Sequence, residues 1–146
     1  MAPQRGNLDQ QVTMEHLSAN TTSRQTFHNI VADRGKSTFN GRIHIHAGAR
    51  NSNANLSNKN IGLGANATIN TKPELEIYND DVSCSHGATI GQLDNDQLFY
   101  LCSRGVDPNA ARQLLCEGFL QQCVGGPLAD SATAGLLEPL QGLSIQ

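Results

Sequence analysis

The side chains of this sequence best suited to metal or nucleophile chemistry are four cysteines, Cys84, Cys102, Cys116 and Cys123, and five histidines, His16, His28, His44, His46 and His86. In Cys84-Ser85-His86 a thiol and an imidazole stand two positions apart. On an extended strand residues so spaced point to one side, with α-carbons about 6.5–7 Å apart, so one sulfur and one ring nitrogen can approach a single ion. Thiolate and imidazole suit zinc, copper and iron–sulfur chemistry. Two ligands are too few for a closed site, so further donors must come from elsewhere in the chain or from a partner. The plainer reading is that Val82, Cys84, His86, Ala88 and Ile90 alternate toward one core face, with Cys84 a small buried hydrophobe; on spacing alone this is preferred. A Cys84/His86 nucleophile pair can also be drawn, but no orienting group or oxyanion donor accompanies it.

Other patterns carry less. His44 and His46 alternate with Ile43 and Ile45 and read as a solvent-facing pair on a strand. Gly35-Lys36-Ser37 resembles the end of a phosphate-binding loop, but the glycine required five residues earlier is Ile30. Gly62-Leu63-Gly64-Ala65-Asn66-Ala67 is followed by Pro73 and a strand-like segment, so it reads as a glycine-rich corner and not a dinucleotide fingerprint. Acceptor patterns for glycosylation at Asn20, Asn55 and Asn66 read as coincidence in an asparagine-rich chain.

The elements that must position these residues change character at Gly91. From about Thr13 to Ile90 short apolar alternations are separated by Gly, Asn, Asp or Ser, which predicts strands. Phe39, Ile43 and Ile45 share one face and Arg42 and His44 the other; Glu74-Leu75-Glu76-Ile77 repeats that logic. Seven of the residues from 51 to 70 are asparagine, which suits the tight corners of a parallel solenoid, where left-handed backbone is tolerated. The strand spacing shows no clean repeat, so a sandwich stays open at this point.

After Gly91 the pattern is helical. Asp94 or Asn95 caps a first helix carrying Leu98, Leu101 and Cys102 at helical spacing, and Arg104-Gly105 stops it. Asp107-Pro108 opens a second with the stripe Ala111, Leu114, Leu115, Phe119, Leu120 and Cys123, ended by Gly125-Gly126-Pro127. The tail has small residues, scattered leucines and almost no charge. The formal charge of −3 and isoelectric point near 5.9 leave no basic face for nucleic acid. No apolar run approaches the roughly 20 residues of a membrane span, and the opening residues lack a secretory signal, so a soluble intracellular protein with reduced thiols is expected.

The run Thr71-Lys72-Pro73-Glu74-Leu75-Glu76-Ile77, then Asp80-Asp81-Val82 and CSHGATIGQLD from Cys84 to Asp94, resembles the most recognisable stretch of the SufB/SufD family of iron–sulfur cluster assembly proteins. The likeness continues through LFYLCSRG, Leu98 to Gly105, and includes FNGRI, Phe39 to Ile43; it covers about Thr21 to Val124 and lies nearer the SufD branch, C-terminal part, than the SufB branch. The resemblance implies a mainly β chain: a right-handed parallel β-helix over 1–91, a small helical domain over 92–126 and a loosely ordered tail over 127–146. It implies a non-catalytic scaffold in a complex with SufB-like and SufC-like (ATPase) subunits, an iron–sulfur cluster held transiently with SufB, and none bound tightly by the chain alone. By position His86 matches the family histidine of that nascent cluster site and Cys84 the nearby cysteine. Arg104 and Arg112 become candidates for SufC docking, while Cys102, Cys116 and Cys123 match no family site and read as packing. A cytoplasmic location follows, or the plastid stroma in a plant or alga.

Family members are usually longer, with an N-terminal helical region and more solenoid turns. The chain is therefore expected to be a fragment, split product or excised piece whose exposed strand edges drive partner binding or homodimer formation. The rival readings are a carbohydrate-binding or carbohydrate-active β-helix, which the scarcity of aromatic residues disfavours, and a zinc domain using Cys84, His86 and another histidine.

Overall fold

The computed structural model describes residues 6–123. The expected tail over 127–146 and the Gly125-Gly126-Pro127 helix stop lie outside those residues. Six strands precede two helices: β1 (Asn7–His16), β2 (Thr22–Ala32), β3 (Lys36–Ile45), β4 (Ser52–Leu63), β5 (Thr68–Ile77), β6 (Val82–Gly91), α1 (Asn95–Ser103) and α2 (Pro108–Gln121). Consecutive strands alternate between two three-stranded sheets, ordered β1-β3-β5 and β2-β4-β6. Every ladder is parallel: Asn7 pairs with Lys36, Thr22 with Asn53, Lys36 with Thr68 and Ser52 with Val82, offsets of 29, 31, 32 and 30 residues.

The expected mainly β chain with two C-terminal helices is the fold observed, and the period-2 pattern explains its core. Along β3, Phe39, Ile43 and Ile45 are buried while Arg42 and His44 face the other side and are half-buried. Phe39, Ile43, Ile45, Ala49, Ala54 and Leu56 form a cluster joined by Val12, Met14, Phe27, Leu75, Val82 and Cys84. All six strands thus contribute to one core between the sheets, each fully buried large aliphatic or aromatic side chain stabilising by about 1.5–3 kcal/mol. Gly41 is needed within that face. A β-carbon there would lie 2.6 Å from Phe39 Cε1 and 2.8 Å from Leu56 Cδ1, so the ring of Phe39 covers the glycine.

The asparagines divide. Asn20 and Asn51 sit at corners with φ of 62° and 55°, and Asn51 Nδ2 donates to Asn20 Oδ1 at 2.6 Å, stacking one corner on the next. Four of the others, however, lie within β4 and not at corners: Asn53, Asn55, Asn58 and Asn60. Asn58 and Asn60 are fully buried. Asn60 Nδ2 donates to Asn58 Oδ1 at 2.6 Å and to the Thr89 carbonyl at 3.0 Å, Asn29 Nδ2 donates to Asn60 Oδ1 at 2.9 Å, and Thr71 Oγ1 donates to Asn58 Oδ1 at 2.8 Å. Partners from three other strands and from β4 itself take the place of water for most of these amide groups, Asn58 Nδ2 being left without one.

Both helix starts are as read from the sequence. The Asp94 carboxylate accepts from the Asp96 and Gln97 amides, and that of Asp107 from the Asn109 and Ala110 amides. Gly105, with φ of 87°, follows the C-cap Arg104. The second helix stops at Gln121, short of the glycine pair, and Leu114 from the expected stripe is 51% exposed. Buried Cys116 instead anchors α2, packing with Leu63 among Ile30, Ala32, Ile61, Leu93 and Leu120. His28 on β2 stacks on Phe119 with ring centroids 4.4 Å apart and donates from Nδ1 to the Phe119 carbonyl at 2.7 Å. Helix α2 is therefore fastened to the second sheet, and α1 packs against α2.

Candidate functional site

Strand β6 forms an edge of the second sheet, with β4 as its one neighbour among the described residues. Register sets Cys84 beside Ala54 and His86 beside Leu56. Both β4 residues are buried in the core, so the thiol and the imidazole project from the same inward side. Without a further strand beyond β6 among the described residues, that side is only partly covered. Val82 and Cys84 are half-buried against the core cluster, whereas His86, Ala88 and Ile90 are exposed. The expectation of one fully packed face over Val82 to Ile90 is thus met by its first two members only, because the covering layer thins along the strand.

Burial pushes the Cys84 thiol above its ordinary pKa, and a backbone hydrogen bond at Ala54 offsets part of the rise. The site by itself therefore favours the protonated thiol, and an approaching cation would have to displace that proton. Cys84 and His86 together offer one soft and one borderline donor on an open strand edge. That arrangement can hold part of an iron–sulfur cargo but cannot enclose it, since such clusters take their ligation from several thiolates or imidazoles.

The other expected site residues lie on the helical segment. Arg104 is exposed at the C-cap of α1, with its guanidinium carbon 5.2 Å from the Tyr100 ring centroid. Arg112 on α2 is half-buried and lines a cleft with Gly62, Leu63, Leu93 and Leu98. Phe99 and Tyr100 on α1 are exposed by 74% and 58%, leaving an aromatic surface beside Arg104. Cys116 reads as packing in the structure also: burial, and secondarily Glu117, pushes its thiol to about 11. Burial likewise raises Cys123, which is half-buried.

Spacing alone missed one constellation. His44 and His46 do face outward, but register brings Glu15 of β1 beside them, and no local pattern links a residue at position 15 to a pair at 44 and 46. The signal available was the pair itself, two imidazoles at i and i+2 on a strand.

Comparison with known proteins agrees with the sequence resemblance. The family model described as SUF system FeS cluster assembly, SufBD core domain, matches residues 1–119, so the likeness begins earlier than the residues around Thr21 suggested. The iron–sulfur cluster assembly protein SufD of Escherichia coli is 42% identical over 111 residues, covering 76% of this chain and 26% of that protein. A SufBD family iron–sulfur cluster assembly protein of Synechocystis is 47% identical over 90 residues, covering 62% of this chain and 20% of that protein. The chloroplastic protein ABCI7 of Arabidopsis thaliana is 39% identical over 114 residues, covering 77% of this chain and 24% of that protein. The chain spans about a quarter of the length of the curated relatives it matches.

Proposed function

The chain belongs to the SufBD core family of the SUF iron–sulfur cluster assembly system, and from that premise we propose that it is a SufD-like scaffold segment without catalytic activity of its own. The observation that carries this reading is the placement of Cys84 and His86 on the inward side of an edge strand, Cys84 half-buried and His86 exposed where a second chain can meet it. Two donors on such an edge call for complementary donors from a SufB-like subunit, the cluster being cargo formed between the chains. His86 is the principal ligand and Cys84 its companion, the thiol losing its proton as iron arrives.

In this reading the two sheets are opposite walls of a right-handed parallel β-helix, supported by offsets of 29 to 32 residues in all ladders and by the stacked corners at Asn20 and Asn51. The SufC-like ATPase docks on α1 and α2, contacting Arg104, Arg112 and the exposed Phe99 and Tyr100. The assembly works in the cytoplasm, or in the plastid stroma of a plant or alga. Among the described residues no helix is long and apolar enough to cross a membrane.

The deciding experiment is co-expression with SufB-like and SufC-like subunits followed by cluster reconstitution. Wild type is expected to copurify with both and build cluster, and His86→Ala to copurify but build none. Arg104→Glu is expected to weaken binding of the SufC-like subunit while the β strands stay folded. A His86→Ala complex that assembles clusters at the wild-type rate refutes the proposed ligand.

A further inference from the structure

The outer face of the first sheet carries a second set of metal-binding side chains, separate from Cys84 and His86. Glu15 on β1 is the direct cross-strand partner of His44 on β3. His46 follows two residues later on the same side, its amide donating to the His16 carbonyl at 3.1 Å and so extending the ladder past the end of β3. Each of Glu15, His44 and His46 presents a ligand atom, all within 4.8 Å of one another. The two imidazoles lie parallel, with centroids 4.1 Å apart and planes inclined by 4°.

A further feature points to a ligand. His46 Nε2 is shielded from solvent and has no hydrogen-bond partner; its nearest carboxylate oxygen, Glu15 Oε2, is 3.9 Å away, beyond hydrogen-bonding reach. A shielded ring nitrogen in that condition lacks the partner that such groups nearly always have. His44 Nδ1 lies 3.6 Å from Glu76 Oε2, and the other Glu76 oxygen is 3.4 Å from Arg42. At 3.6 Å the His44–Glu76 contact is an ion-pair distance and not a hydrogen bond, so Glu76 adds negative charge beside the cluster.

We propose that Glu15, His44 and His46 form a site for a divalent transition-metal ion, with Glu76 adding negative charge beside His44 and a fourth position open to water. Two imidazoles and one carboxylate suit Zn²⁺ and its neighbours Co²⁺, Ni²⁺ and Cu²⁺, whereas Mg²⁺ and Ca²⁺ require mostly oxygen donors. Zinc bonds of about 2.0–2.2 Å in a tetrahedron put ligand atoms about 3.4 Å apart. Closing the present cluster to that size needs side-chain shifts of about 1 Å, which long outward-facing side chains can make without moving the strands. The site stands independently of the cluster-assembly reading, because it shares no donor with Cys84 or His86.

Co²⁺ is the probe, since its visible bands report coordination geometry and a sulfur charge-transfer band reveals any thiolate ligand. The full chain is titrated by calorimetry and absorbance, in the wild type and in a Cys84→Ser/His86→Ala background that silences the other donors. One equivalent is expected to bind in both, with four-coordinate bands in that background and no sulfur band. His44→Ala, His46→Ala and Glu15→Gln should each weaken binding by at least the roughly 10–100-fold that loss of an outer-shell partner alone costs. All three side chains are on the outer face, so thermal unfolding monitored by circular dichroism should show each variant folded and within a few degrees of wild type. Should one variant unfold, the remaining two give the same reading. Unchanged affinity in the folded His variants, or binding that disappears in the Cys84→Ser/His86→Ala background, overturns the assignment.

Discussion

Cys84 and His86 on β6 and His44 and His46 around the end of β3 are the same local device, two donors at i and i+2 on extended chain, completed in different ways. His44 has strands on both sides, so the ladder adds Glu15 from β1 and Glu76 from β5, and the chain itself supplies a three-donor set. Among the described residues Cys84 and His86 have a neighbouring strand on one side only, and its contributions are Ala54 and Leu56, neither of them a ligand. A strand in mid-sheet can finish a site from its two neighbours, whereas a strand with one neighbour leaves it open on one side. The environments differ too: outward carboxylates surround the first pair, while the second borders an apolar core that holds the Cys84 thiol protonated.

The largest effect should come from the core beneath the outer cluster. Ile43→Ala, at a fully buried position, is expected to destabilise the chain by about 2–5 kcal/mol, while the adjacent outward change His44→Ala should stay within about 0.5 kcal/mol. Urea unfolding of the two variants checks this, and equal losses would mean that the two faces are not distinct. A sharper contrast concerns pH. The Cys116 thiol is raised from an ordinary value near 9.0 to about 11, so the folded state holds a proton that the unfolded chain has released. Its stabilisation is complete below pH 9 and disappears as pH rises toward 11. Stability measured across that window should fall in wild type and fall less in Cys116→Ala, whose overall loss from the cavity is expected at every pH.

The smallest effect tests the edge pair. Because His86 is exposed, His86→Ala should change unfolding free energy by no more than about 0.5 kcal/mol, against the roughly 1–3 kcal/mol expected of a buried, hydrogen-bonded residue. Thermal melts of the isolated chain separate the two, and a large loss would return His86 to a packing role.

Features that depend on near neighbours along the chain are legible in the sequence. The caps at Asp94 and Asp107 bond to amides two and three residues away, and the inward face of Phe39, Ile43 and Ile45 follows from side-chain alternation. The burial of Asn58 and Asn60 is not legible there, since it depends on Asn29, Thr71 and Thr89 arriving from three other strands to accept or donate hydrogen bonds. Leu114 misleads for a related reason: helical periodicity defines a stripe, but the sheet surface under α2 is met by Cys116 and Leu120.

From the sequence alone one can read which residues can be donors, which stretches are strand or helix, and, through the stretch from Thr71 to Gly105, the family. Tertiary structure alone decides what each donor pair meets. Strand period is a property of consecutive residues, but the ladder offset of 29 to 32 residues is set by corner lengths and by the packing of two sheets against a shared core. A shift of one residue in that offset would turn Glu15 away from His44 and Leu56 away from its place beside His86, leaving the composition of every strand unchanged.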